Sequence, residues 1–283
     1  MKLSRLSLIA IGSLLAGCGS APVAPPPTAP PPPAPAPHAP APAQAPIDIA
    51  PAAPPAAAAP PAPVAEAAAP KEVFPSVYLD ARTKTVWFDA SVAIDAHNAK
   101  TPVVYLEVFA CTPDSKEHES LVVTKAKPSH IHAALLLAGV EPGKPGEYDW
   151  SGAELKTIPP QGPRLRVRFE VEREGQKQVE DPATWVKSLR SGKSLRETTP
   201  GAGFVFAGSL ETKRGTGRVY DADMSGTLLG LTTFGTETIA WSDMYNNDSG
   251  VEEPQWVADG ARVPGQGVAV RVGISAADGN SAP

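Results

Sequence analysis

The chain is short of cysteine: it has two, Cys18 and Cys111. Cys18 closes an N-terminal apolar segment, so Cys111 is the one thiol left to the folded part, and an internal disulfide is excluded there. No CxxC or HExxH spacing occurs, which removes the common metal-binding patterns. No internal repeat is present. The N-terminal apolar segment, Leu6 to Leu15, is half the roughly 20 residues that a membrane-spanning helix needs. Positive charge is also scarce. The formal balance is −5, and without Lys2 and Arg5 it is 23 basic against 30 acidic residues, or −7. Phosphate backbones are held by clustered Lys and Arg, so nucleic acid is not an expected partner.

What is present begins with an address. Lys2 and Arg5 precede the short apolar segment, which ends in Leu15-Ala16-Gly17-Cys18. This pattern resembles the bacterial lipoprotein lipobox. The resemblance implies cleavage after residue 17 and lipid on the sulfur and amine of Cys18. Each buried lipid CH2 contributes about 0.8 kcal/mol, so several chains anchor stably. Gly19 follows, with no Asp to suggest inner-membrane retention. The expected location is the bacterial cell envelope, on the outer membrane and facing the periplasm.

Proline is the second excess, 34 residues, most of them before residue 71. Proline fixes φ and donates no backbone hydrogen bond, so neither helix nor sheet is expected from Ala21 to Pro70. A polyproline II spacer fits, at about 3.1 Å per residue. The expected organisation is a signal peptide (1–17), a lipidated cysteine with a Pro/Ala-rich linker (18–70), one folded domain (71–276) and a short tail (277–283).

Within that domain, Val77 to Leu79 and Thr85 to Val92 read as a hairpin. Val103 to Cys111 reads as a strand closed by Pro113, with Glu119 to Thr124 as its return. Pro128 to Gly139 reads as a helix with Ser129 as N-cap and Gly139 as its stop. Its apolar stripe is Ile131, Leu135 and Ala138, widened by Ala134 and Leu137. Leu165, Val167, Phe169 and Val171 alternate with Arg164, Arg166, Arg168, Glu170 and Glu172, the pattern of a half-buried strand. Asp181-Pro182 starts a short helix through Leu189. Phe204–Ser209, Arg218–Met224, Thr227–Thr232 and Val268–Ile274 read as further strands. The expected fold class is α+β: a mostly antiparallel sheet, one buried helix and one short helix.

The segment from Cys111-Thr112-Pro113 through Lys116-Glu117-His118-Glu119-Ser120-Leu121 to Ala126-Lys127-Pro128-Ser129-His130-Ile131-His132 resembles the YdjY domain family. Phe204-Val205-Phe206-Ala207-Gly208-Ser209 and Asn246-Asn247-Asp248 fit the same pattern. Ser115 stands where glycine is usual, a departure that bears on the turn type. The resemblance spans most of residues 72–275. It implies an exported or envelope-associated bacterial protein and brings no specific activity with it.

Candidate chemistry centres on one stretch. Cys111 reads either as a small buried hydrophobe or as a reactive thiol. His118, Glu119 and His132 with Cys111 offer zinc or copper ligands, and a metal ion is the one cofactor the residues leave open. His130 and His132, two apart on a helix, face different ways. A Cys111–His132–Glu119 nucleophilic arrangement has the right residue types; scattered polar residues are the plainer alternative. Asp221-Ala222-Asp223 and Asp243 to Asp248 carry oxygen ligands without the twelve-residue calcium spacing, so turns are the simpler reading. The arginines of 164–168 could meet an anionic glycan or lipid, or form a solvated face balanced by Glu170 and Glu172. The function expected is a membrane-anchored lipoprotein whose domain binds an envelope protein or small ligand. The alternative is a thiol- or metal-dependent redox or metal-handling protein centred on Cys111, His118, Glu119 and His132. Convergence of those four side chains would decide between them.

Overall fold

The computed structural model describes residues 69–101, 103–152 and 155–277. The expected signal peptide, the expected lipidation site Cys18 and the expected Pro/Ala-rich linker up to residue 68 lie outside the described residues, as do residues 278–283 of the expected tail.

Eight strands form the body. In chain order they are β1 (Thr85–Val92), β2 (Val108–Cys111), β3 (Ser120–Val123), β4 (Arg164–Arg173), β5 (Phe204–Val205), β6 (Thr227–Gly230), β7 (Ile239–Trp241) and β8 (Ala269–Ala276). Their spatial order is β1–β8–β4–β5–β7–β6–β2–β3. β3 then pairs back onto β1 through Ser91↔Val123 and Val92↔Val122, so the sheet closes into an eight-stranded barrel. Closure pairs the two ends of this eight-strand set with each other, while Lys71–Phe74 with Val77–Asp80, and Gln176–Glu180, extend the same sheet outside the ring. This corrects the α+β expectation: the domain is a β-barrel, and its helices are short pieces on that frame. Two pairings are parallel, β2 with β3 and β6 with β7. β3 therefore does not return alongside β2 as a hairpin strand.

Side-chain alternation accounts for the long strands. On β4, Leu165, Val167, Phe169 and Val171 are buried, and the intervening Arg164, Arg166, Arg168 and Glu170 lie on the outer face. β8 runs antiparallel between β4 and β1, with Val272 opposite both Phe169 and Phe88. Gly273 on β8 has a steric reason to be glycine. A Cβ there would lie 2.6 Å from the ring of Trp87, which crosses it on the outer face. Arg168 and Arg271 both lie over that ring, with their guanidiniums 4.4 and 5.0 Å from its centroid. Inside, Phe109, Phe204 and Trp241 make an aromatic cluster with centroids 4.9–5.8 Å apart.

The short helix α1 (Pro128–Leu137) forms as its sequence dictates, with Pro128 at the first position, Ala138 as C-cap and Gly139 just beyond at φ +83°. Lys127, not Ser129, is the N-cap. Ser129 instead donates its backbone N–H and hydroxyl to Asp223 of α2 (Asp221–Ser225), at 2.8 and 2.6 Å. Pro128, Ile131, Ala134 and Leu135 are buried, whereas Leu137 is 62% exposed, so the apolar stripe is narrower than its composition suggests.

Other expectations change in detail. Only residues 108–111 of the 103–111 segment join the barrel; Tyr105 makes an isolated bridge to Val257. The helix expected from Asp181 is a 3-10 turn, Pro182–Thr184, after which Val186–Ser188 pairs with Trp256–Ala258. Residues 217–220 pair with 211–214 as a hairpin before α2 begins.

Candidate functional site

Backbone hydrogen bonds gather four segments where β2 and β3 begin and β6 ends. Glu107 donates its N–H to Glu119, and its carbonyl accepts from Leu231 and Thr232. Leu106 donates to Trp256, and Thr233 to Tyr245. Between these segments lies a cavity of about 240 Å3, walled by Tyr105, Tyr245 and Trp256 and bordered by Glu107, Glu119, Thr232, Asn246, Asn247, Glu252 and Glu253. Tyr245 and Trp256 meet edge to face with centroids 5.1 Å apart.

The cavity is rich in carboxylates. Lys116 serves two of them, at 3.5 Å from Glu107 and 3.1 Å from Glu119, and rests over the Phe234 ring at 4.2 Å. Burial pushes the Glu107 carboxyl up, the neighbouring Glu119 adds to this, and Lys116 opposes it. Glu252 accepts from the Asn246 N–H at 2.8 Å, and Glu253 meets Arg190 at 3.1 Å. The Tyr245 phenol is held well above its usual range by burial, then by Asp243 and Glu252.

Beneath the adjoining loop lies a group with no periodic signature, Glu237. One of its oxygens accepts from the backbone N–H of Phe234 (3.2 Å) and Thr236 (3.0 Å). The other is buried without a protein partner. Burial pushes this carboxyl up to about 7, against the lowering effect of the backbone donors.

The residues nominated from the sequence go to separate neighbourhoods. Cys111 is fully buried on β2, and burial pushes its thiol up, offset in part by Ser120 and Ser115. The turn after it is made by Asp114, at φ +60°; Ser115 donates its hydroxyl to the Thr112 carbonyl at 2.6 Å. His118 has a 79% exposed side chain and approaches the Glu119 carboxylate at 3.7 Å. Glu119 lines the aromatic cavity. His132 bonds Tyr220 at 2.9 Å and packs edge to face on Phe206. Burial lowers its basicity and holds the Tyr220 hydroxyl well above its usual range. His130 stacks on Phe74 instead. Among the described residues no three His, Cys, Asp or Glu side chains converge as metal ligands would. Asp221 accepts from Thr212, Asp223 from Ser129, and Asn246 and Asp248 from backbone N–H groups two residues on, so these oxygens close turns and caps.

A closed barrel carrying a loop-built, aromatic-walled cavity defines the class of domain. The YdjY domain model matches residues 77–275, more than half of the chain, and the chain belongs to the YdjY domain family. Searches of curated proteins and of solved structures gave no match.

Proposed function

We propose that the protein is a lipid-anchored lipoprotein of the bacterial envelope whose tethered barrel acts as a binding module and not as an enzyme. The cavity between Tyr105, Tyr245 and Trp256 is where it takes up a small ligand or a protruding group of a partner. One observation carries this reading. The cavity is concave, aromatic-walled and rich in hydrogen-bonding groups, as ligand sites are, while the thiol and the histidines stand in other environments. The anchor and the reach are supported by Leu15–Cys18 and by the proline-rich run that follows.

Native mass spectrometry of protein released gently from envelopes tests the cavity. The expected result is a bound small molecule on the parent chain and its loss from a Tyr245→Ala variant that keeps the parent melting temperature. The same adduct on both chains, or none on either, would count against a ligand at this site.

A further inference from the structure

Every charged side chain that lines the aromatic cavity is acidic. Glu107, Glu119, Glu252 and Glu253 border it, and no Lys, Arg or His among the described residues does. Resting on the ligand cavity proposed above, we infer that its occupant is an alkylammonium ion, the cationic head of a small amine or of a lysine side chain, held between the tyrosines and these carboxylates.

The cations nearby do not balance this wall. Lys116 is one ammonium shared by Glu107 and Glu119, at 3.5 and 3.1 Å, and it sits over the Phe234 ring, outside the cavity lining. Two carboxylates thus share one positive charge, and burial and their mutual repulsion oppose ionisation of Glu107. His118 approaches Glu119 from solvent at 3.7 Å and does not line the cavity. Glu253 pairs with Arg190, but both side chains are exposed, at 81 and 57%, where an ion pair contributes little. Glu252 accepts from the Asn246 N–H at 2.8 Å, and no Lys or Arg among the described residues pairs with it. Four carboxylates against Lys116 and Arg190 leave two negative charges over when all are ionised. A second cation beside Glu107, Glu119 and Glu252 relieves that excess.

The aromatic side chains supply the rest of such a site. A ring face carries partial negative charge, and a cation within about 6 Å of its centroid is attracted to it. Tyr105, 48% exposed, lines the cavity from the segment before β2. Tyr245 is half-buried and braced edge to face by the nearly buried Trp256. The tyrosine rings also give methyl or methylene groups on the nitrogen an apolar surface, which carboxylates alone do not. A volume of about 240 Å3 suits a head group and a few carbons better than a polymer segment. A metal ion fits less well. Lys116 already bridges Glu107 and Glu119, and no three ligand side chains converge among the described residues.

Calorimetric titration of the full mature chain in detergent with choline and with Nα-acetyl-lysinamide tests this. Each runs beside its neutral isostere, dimethylbutanol for choline and Nα-acetyl-norleucinamide for the lysine derivative. At least one ammonium should bind roughly tenfold more tightly than its isostere, and which one does so tells a methylated amine from a lysine side chain. Glu252→Gln keeps an acceptor for the Asn246 N–H, so the melting temperature should be unchanged while the ammonium binds roughly fivefold more weakly. Isosteres bound as tightly as the ammonium ions, no ammonium binding at millimolar concentration, or full affinity in Glu252→Gln would overturn the proposal. Native mass spectrometry separates this from failure of the cavity itself. A neutral or anionic molecule carried by the parent chain and missing from Tyr245→Ala would refute the ammonium assignment and leave the binding site standing.

Discussion

Glu237 is a carboxyl whose surroundings hold it far from the behaviour of its type. Its side chain is sealed, one oxygen holds two backbone N–H groups, and the other has no protein partner, an arrangement that suits a retained proton. Its carboxyl is raised from 4.5 to about 7. The folded state therefore binds this proton more tightly than the unfolded state does. The favourable contribution is complete below about 4.5, is lost as pH rises to about 7, and is flat above that. The size is on the order of 3 kcal/mol. Glu237→Gln should remove this pH dependence and stabilise the protein at pH 8, as read by urea unfolding at pH 5 and 8. An unchanged slope between the two pH values would contradict the assignment. Cys111 gives a second residue-scale expectation. Native protein should resist iodoacetamide and react only in denaturant, because the thiol is fully buried and its ionisation is disfavoured. Glu237 was not legible in the sequence. It sits among threonines in a stretch without periodicity, and its meaning comes from the two N–H groups that fold back onto it.

At the scale of elements, legibility followed length and one-sided burial. β4 is ten residues long with one wet face, so its alternation shows in the sequence; α1 is punctuated by Pro128 and Gly139. β2 and β6 are four residues each, and buried throughout. A strand covered on both faces has no alternation to show, so the parallel pairings β2–β3 and β6–β7 left no trace. Ser129 looked like a cap and serves as a donor to Asp223 because α2 lies against the start of α1. The crossing of β1 and β8 offers a direct test. Gly273→Ala should cost about 1–3 kcal/mol by forcing Trp87 off the strand. In the Trp87→Ala background the same substitution should cost much less, since the clash partner is gone. Additive losses in the two backgrounds would show that the ring is not what requires glycine.

For the whole molecule, the feature that composition could not supply is closure. β1 and β3 meet over two residue pairs, and that pairing turns a sheet into a barrel. Nothing in local periodicity records it. The aromatic cluster of Phe109, Phe204 and Trp241 ties β2, β5 and β7 together from inside, and Phe109→Ala should cost about 3–5 kcal/mol in equilibrium unfolding. Outside the barrel the proposed anchor rests on sequence features that are read without tertiary context: a basic start, a short apolar stretch and a cysteine after small residues. Cells fed a labelled fatty acid test the central claim most directly. Label should appear on the mature chain in the envelope fraction and vanish with Cys18→Ser. A mature chain without label, or a Cys18→Ser chain labelled as strongly as the parent, would contradict the account.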